Sequence, residues 1–268
     1  MNAHIQRWLT AVAVVPLLFA AVAWGGQTVF FTVIAAAVVL GVHEYISMVM
    51  PAATMSMKIQ SLVISFMIPV IFHWGSPELL TAFLAFSLMA VFILYLLGIR
   101  EERFDILPVM KILFGVFYIP FLLSHLIWLR NTPQGVLWIF FVIVLAFSGD
   151  VAAYYVGRTW GRHKLIPLVS AGKTAEGLVG LIFGSALGCL VFSWFFFPAL
   201  FPWHAVLMGV IGSTVGQLGD LCESVLKRAA GVKDSGTILP GHGGILDRLD
   251  CLLFISPFVH YYRYFNVP

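Results

Sequence analysis

Apolar residues run through this chain in long blocks, broken by short polar stretches, and the blocks themselves carry almost no charge. A helix needs about 20 consecutive apolar residues to cross the hydrocarbon of a bilayer. Windows of that size predict nine spans, near residues 8–24, 28–50, 59–74, 79–98, 108–129, 135–157, 177–197, 203–222 and 249–265. The third is short and carries Pro69 and His73, which predicts a tilted, kinked or re-entrant segment. The first starts behind Arg7 and ends on Ala21-Val22-Ala23, in the manner of a signal peptide. With eight spans following, a first transmembrane helix is the better reading. The pattern therefore predicts an all-α polytopic membrane protein. Residues 1–134 hold about five spans; residues 135–268 hold the rest, with the two long polar loops, 158–176 and 223–248.

Composition agrees with the pattern. Of 268 residues, 61% are hydrophobic and 10% charged, where a soluble domain carries about a quarter charged residues. The lysines and arginines test the orientation. With the N-terminus cytoplasmic, 13 of the 15 fall inside, and only Arg130 and Arg263 fall outside, the bias expected of a correctly oriented chain. Both long loops are then cytoplasmic, and Tyr261, Tyr262 and Tyr264 form an interfacial belt on the far side. The cysteines, Cys189, Cys222 and Cys251, have no paired spacing and read as small apolar residues. His73, His125, His204 and His260 are scattered and read as no metal site.

Two spans carry stripes of glycine: Gly180, Gly184 and Gly188 in the seventh, and Gly209, Gly212, Gly216 and Gly219 in the eighth. Small residues at this spacing let helix backbones approach closely in lipid. The same faces would suit a homodimer.

Charge gathers at the last two spans. Gln217, Asp220, Glu223, Ser224 and Lys227 form one polar stripe, and Asp247 and Asp250 lie one turn apart at the start of span nine. The joining loop, "KDSGTILPGHGGILDRLD", adds Lys233, Asp234, His242 and Arg248 among glycines. Converging carboxylates need a neutralising cation. Magnesium suits them, taking one or two carboxylates and completing its shell with water and phosphate oxygens. Lys227, Arg228, Lys233 and Arg248 could hold an anion, and Gly241, Gly243 and Gly244 allow close backbone approach. Together these point to a phosphate site. Asp150, inside span six, is a candidate for the same site or for a helix-packing hydrogen bond, and Lys173 could reach a phosphate; Glu44, at the end of span two, reads as an interfacial helix-end anchor ahead of a site residue. "SAGKTAEG" (170–177) is not a P-loop, because Pro167 stands where glycine is needed; Thr174 there predicts a cap for span seven. An ion-coupled transporter is disfavoured, since the acids cluster at one face and no internal repeat is visible. No feature calls for a nucleic-acid partner.

The run from Ser224 to Asp250 resembles the signature of the phosphatidate cytidylyltransferases, the CDP-diglyceride synthetases. The matching residues are Ser224, Lys227, Arg228, Lys233, Asp234, Pro240, Gly241, His242, Gly243, Gly244, Asp247, Arg248 and Asp250. "GDLCES", "KTAEG" and "SGD" upstream extend it; Ala171-Gly172 departs from the Pro-Lys common in relatives. The resemblance implies that CTP and phosphatidic acid become CDP-diacylglycerol and pyrophosphate, in the bacterial inner membrane and amid its lipid. It implies Mg²⁺ on Asp220 and Asp247, with Asp250, Glu223 and Asp150 as further metal candidates and a second cation such as K⁺. Lys227, Arg228, Lys233 and Arg248 would bind the triphosphate and lipid phosphate. Ser224, Asp234, Gly241, His242, Gly243, Gly244 and Lys173 would line the substrates. An enzyme using another nucleotide or a lipid alcohol would keep the same phosphate site.

Overall fold

A computed structural model describes residues 12, 15–99, 105–238, 241 and 243–267. Its helices are α1 (Gly26–Val49), α2 (Met55–Trp74), α3 (Pro77–Gly98), α4 (Leu107–Arg130), α5 (Gly135–Trp160), α6 (Ala175–Phe196), α7 (Pro202–Ala229) and α8 (Leu246–Asn266). Among the described residues, α1 through α7 are the seven helices long and apolar enough to cross a membrane. The chain is a multi-pass membrane protein. Of the first predicted span only residue 12 and residues 15–24 are described, and 15–23 are helical. The ninth predicted span is a helix, α8, but Asp250, Pro257, His260 and Arg263 interrupt its apolar run. Pro240 and His242, with Arg7, Arg100 and Arg103, lie outside the described residues.

Three boundaries differ from the sequence reading, each for a local reason. The third span is a 20-residue helix, because Thr54 accepts from the Met57 amide at 3.3 Å and starts α2 earlier than the apolar run does. The eighth span continues as α7 to Ala229, so Glu223, Ser224, Lys227 and Arg228 ride on a helix instead of opening a loop. The loop expected at 158–176 is mostly ordered backbone. It carries a hairpin, β1 (Lys164–Ile166) against β2 (Ser170–Thr174), pairing Lys164 with Thr174 and Ile166 with Ser170. The chain is therefore helical apart from this two-stranded sheet among its described residues.

Two compact units emerge: residues 1–128 with 234–248, and residues 129–233 with 249–268. In the first, α1 is locked to α4. Tyr45 donates its hydroxyl to the Lys111 carbonyl at 3.0 Å, and the Lys111 ammonium donates to the Val49 carbonyl at 2.9 Å, closing the C-terminal end of α1. Within α4 a π-helical turn, Phe117–Phe121, absorbs Pro120, which has no amide hydrogen to give.

In the second unit the predicted glycine stripes do their packing. A Cβ on Gly180 would lie 2.7 Å from the Val156 Cβ on α5, and one on Gly209 would lie 2.6 Å from the Ala186 Cα on α6. Ser185 donates to the Leu145 carbonyl at 2.8 Å across the same seam. In lipid, where burying apolar surface drives little association, such close contact supplies most of the attraction. It holds the polar ends of α5, α6 and α7 in fixed positions.

Candidate functional site

In the first unit the site is built on the 234–248 segment. Asp247, at the start of α8, uses Oδ2 to accept from the Ser235 amide (3.0 Å), the Ser235 hydroxyl (3.0 Å) and the Gly244 amide (2.8 Å). Gly241 and Gly243 take φ of 77° and 85°, backbone that side chains disfavour, and this turns the chain back toward Asp247.

The turn rests on a buried acid from far away in sequence. Glu44, 3% exposed at the end of α1, accepts from the Ile245 amide at 3.0 Å and the Leu246 amide at 2.9 Å, and it shares with Asp247 the single hydrogen of the Ser235 hydroxyl, 3.1 Å away. Two of these donors are free amides at the first turn of α8, where a negative charge is favoured by the helix dipole. Glycine at 236 and 244 is explained here too. A Cβ at either position would collide with the Glu44 carboxylate, and at Gly244 also with the Ser235 hydroxyl. From sequence, Glu44 reads as a helix-end anchor and Gly244 as room for a ligand. In the structure Gly244 is room for Glu44. The one available signal was an acid at the end of an otherwise apolar span.

In the second unit the hairpin delivers a cation. Thr174 caps α6 as predicted, accepting from the Gly177 amide at 3.0 Å. In the first turn of α6, Glu176 accepts from the Arg162 amide at 3.0 Å and pairs with the His163 ring at 2.6 Å, which ties the entry of the hairpin to its exit. Lys164 donates to the Ala171 carbonyl at 2.8 Å across the strands. So fixed, β2 places the Lys173 ammonium 2.5 Å from Asp220 Oδ2 on α7. The two side chains are partly exposed, at 22% and 33%, while the Lys173 nitrogen itself is buried against the carboxylate.

Asp220 also borders a small cavity of about 10 Å³, room for one water or ion. Asp150, Ser213, Gln217 and Cys251 line it as well, and the Gln217 side-chain amide nitrogen is buried there without a hydrogen-bond partner. Ser224 donates to Asp220 Oδ1 at 3.4 Å. Asp250 and Cys251 follow on α8, where Asp250 Oδ1 accepts from the Cys251 amide at 2.7 Å.

Glu223 is wholly buried and ion-paired with Lys227 one turn on. Arg228 folds back to donate to the Val232 carbonyl at 2.7 Å, so it braces the end of α7. Lys233, Asp234 and Arg248 are exposed. Of the residues singled out from sequence, the structure thus groups Lys173, Asp220, Ser224 and Asp150, and separately Asp247, Gly243, Gly244 and Glu44; His242 lies outside the described residues.

The donor set fits a hard cation. The Asp220 cavity has largely apolar walls of Leu145, Ala146, Leu181 and Ile255, and the Asp150 and Asp220 carboxylates and the Ser185 and Ser213 hydroxyls among them offer the oxygen chemistry that magnesium takes. Among the described residues no three acidic, histidine or cysteine side chains cluster closely enough to form a metal cage. A cation here would complete its shell with water and phosphate oxygens, as magnesium does.

Comparison with known proteins gives the chemistry a context. The chain is 37% identical to the uncharacterized protein YnbB of Escherichia coli K12, over 72% of this chain and 70% of that protein. It is 38% identical to the phosphatidate cytidylyltransferase of Staphylococcus epidermidis, over 64% of this chain and 65% of the relative's length. It is 31% identical to the phosphatidate cytidylyltransferase of Synechocystis sp., over 98% of this chain and 97% of that one. The model of the Cytidylyltransferase family matches residues 5–265, nearly the whole length, and the chain belongs to that family.

Proposed function

We propose that this chain is a phosphatidate cytidylyltransferase of phospholipid biosynthesis, joining CTP and phosphatidic acid into CDP-diacylglycerol with release of pyrophosphate. The family match and the Synechocystis relative, aligned along almost the full chain, support the activity. The observation that carries the chemistry is the Lys173–Asp220 pair at the small cavity that Asp150 shares. An ammonium seated on a half-exposed carboxylate can transfer its attraction to an arriving phosphate, leaving the carboxylate for the cation that accompanies a nucleotide.

In the proposed reaction an oxygen of the lipid phosphate forms a bond to the α-phosphorus of CTP. The bond from that phosphorus to the β-phosphate oxygen breaks, and pyrophosphate leaves with its electron pair. A phosphate monoester is already largely ionised at pH 7, so no side chain need take a proton. Catalysis is then positioning and charge neutralisation. Lys173 orients phosphate oxygens from β2. Lys233 and Arg248, both exposed, gather the triphosphate and lipid phosphate, and Lys227 and Arg228 on α7 add positive charge. The glycine turn held by Glu44 presents Gly241 and Gly243 as backbone a ligand can approach. Asp220, with Asp150 beside it, would hold Mg²⁺ in the second unit, and Asp247 is the metal candidate of the first; the bound ion would neutralise charge on phosphate oxygens.

In this proposal the chemistry lies at the cytoplasmic face of the inner membrane with the N-terminus inside, an orientation that the positive-inside bias supports. Phosphatidate shows its phosphate at that level, and CTP is cytosolic.

The test is pyrophosphate release by the purified chain in detergent with phosphatidate and Mg²⁺, comparing CTP with ATP, GTP and UTP. Release with CTP alone, abolished by EDTA, is expected. Folded protein that releases none with any nucleotide would overturn the reading.

A further inference from the structure

The first unit holds a cavity of about 650 Å³ between α2, α3 and α4, within the roughly 300–1,000 Å³ that small-molecule pockets occupy. Its level is set by three helix ends: Thr54 caps α2, Gly98 closes α3 and Pro108 stands in the first turn of α4. It therefore lies where spans end, at the height of lipid headgroups. Its floor is apolar and closed, made by Val91, Val109 and Ile112, all under 5% exposed. Its mouth is polar, with Ser56, Gln60, Tyr95 and Asp105.

Helix packing leaves this space open. α3 buries only Leu80, Ser87 and Val91, one stripe of one face. The next residues of that stripe, Leu94, Tyr95 and Gly98, line the cavity instead of closing against a neighbour. The turn into α4 is braced in this shape. Tyr95 donates its hydroxyl to the Asp105 carbonyl at 2.7 Å, and Asp105 Oδ1 accepts from the Leu107 amide at 3.0 Å. A Cβ built on Gly98 would meet nothing within 4 Å.

Two polar features say what would fill it. The Gln60 side-chain amide nitrogen is buried in the wall with no hydrogen-bond partner, a costly state that an acceptor in the cavity would relieve. The described lining carries the Asp105 carboxylate. That charge suits a headgroup ammonium.

We propose that this cavity binds a zwitterionic aminophospholipid from the surrounding membrane. One acyl chain lies on the Val91, Val109 and Ile112 floor, an ester oxygen accepts from Gln60, and the headgroup ammonium meets Asp105. The site is independent of the reaction proposed above and would stand if that reading fell.

The experiment uses the full chain in phosphatidylcholine nanodiscs carrying a trace of phosphatidylethanolamine with a photoactivatable diazirine acyl chain. Labelled peptides are mapped, and the same is done with a diazirine phosphatidate. Label concentrated on 54–60, 91–99 and 105–112 is expected, competed by unlabelled phosphatidylethanolamine and lowered about fivefold or more by Gly98→Phe, which fills the cavity. Gln60→Leu is expected to lower it as well, with helicity and pyrophosphate release retained. Label spread evenly over the lipid-facing helices and indifferent to competitor would overturn the site, and that arm requires no variant. Equal labelling by the phosphatidate probe would overturn the headgroup assignment.

Discussion

Asp247 and Asp220 are both acids at helix ends, yet their surroundings differ in kind. Asp247 is met by neutral donors from its own loop, three of them on one oxygen, and the loop is in turn seated on Glu44. Asp220 faces the Lys173 ammonium on a hairpin and a water-sized cavity. The first is held by groups that cannot leave without unfolding the turn. The second is held by an ammonium, which in the proposed reaction a phosphate takes over. In that proposal Asp247 maintains the shape of its turn, and Asp220 is the acid that exchanges partners.

The comparison can be broken in order of expected effect. Asp220→Asn should lower kcat/KM for CTP by about a hundredfold or more, ~3 kcal/mol, while thermal unfolding barely moves. Loss of fold in that variant would contradict the exchangeable role. Glu44→Gln replaces an acceptor with a donor facing amide and hydroxyl hydrogens. It should cost about 1–3 kcal/mol locally, read as faster hydrogen exchange at the Ile245 and Leu246 amides together with lower activity. Unchanged exchange at those two amides would remove Glu44 from the account. Lys173→Met should raise KM for CTP by about tenfold, ~1.4 kcal/mol, with less change in kcat. A fall in kcat alone would contradict a phosphate-orienting role. Gly209→Leu, crowding the Ala186 backbone, should destabilise by about 1–3 kcal/mol, seen as an earlier thermal transition in detergent. A transition at the wild-type temperature would mean that the α6–α7 seam is looser than described.

Much of this architecture is legible in the chain because lipid imposes a simple code. Apolar runs give the helices from α1 to α7, and glycines four apart mark the faces where α5, α6 and α7 meet. Thr174 announces its helix by capping chemistry alone. What was not legible depends on partners distant in sequence or on short elements. Glu44 and Leu246 are 202 residues apart, and nothing local distinguishes a buried anchor from an interfacial one. The strands Lys164–Ile166 and Ser170–Thr174 are too short to show alternation, so the hairpin that aims Lys173 looks like a loop. Helix ends misled in a related way. Polar residues stop an apolar run without stopping a helix, so α7 carries Glu223 to Arg228 onward as helix.

The most direct test of the central claim follows the phosphorus. The purified chain is given phosphatidate, Mg²⁺ and CTP labelled at either the α- or the γ-phosphate, and the lipid phase is counted. The account predicts α-label in the lipid, γ-label only in released pyrophosphate, and neither transfer in Asp220→Asn. Transfer of γ-label to the lipid would mean a kinase, and would contradict cytidylyl transfer at this site.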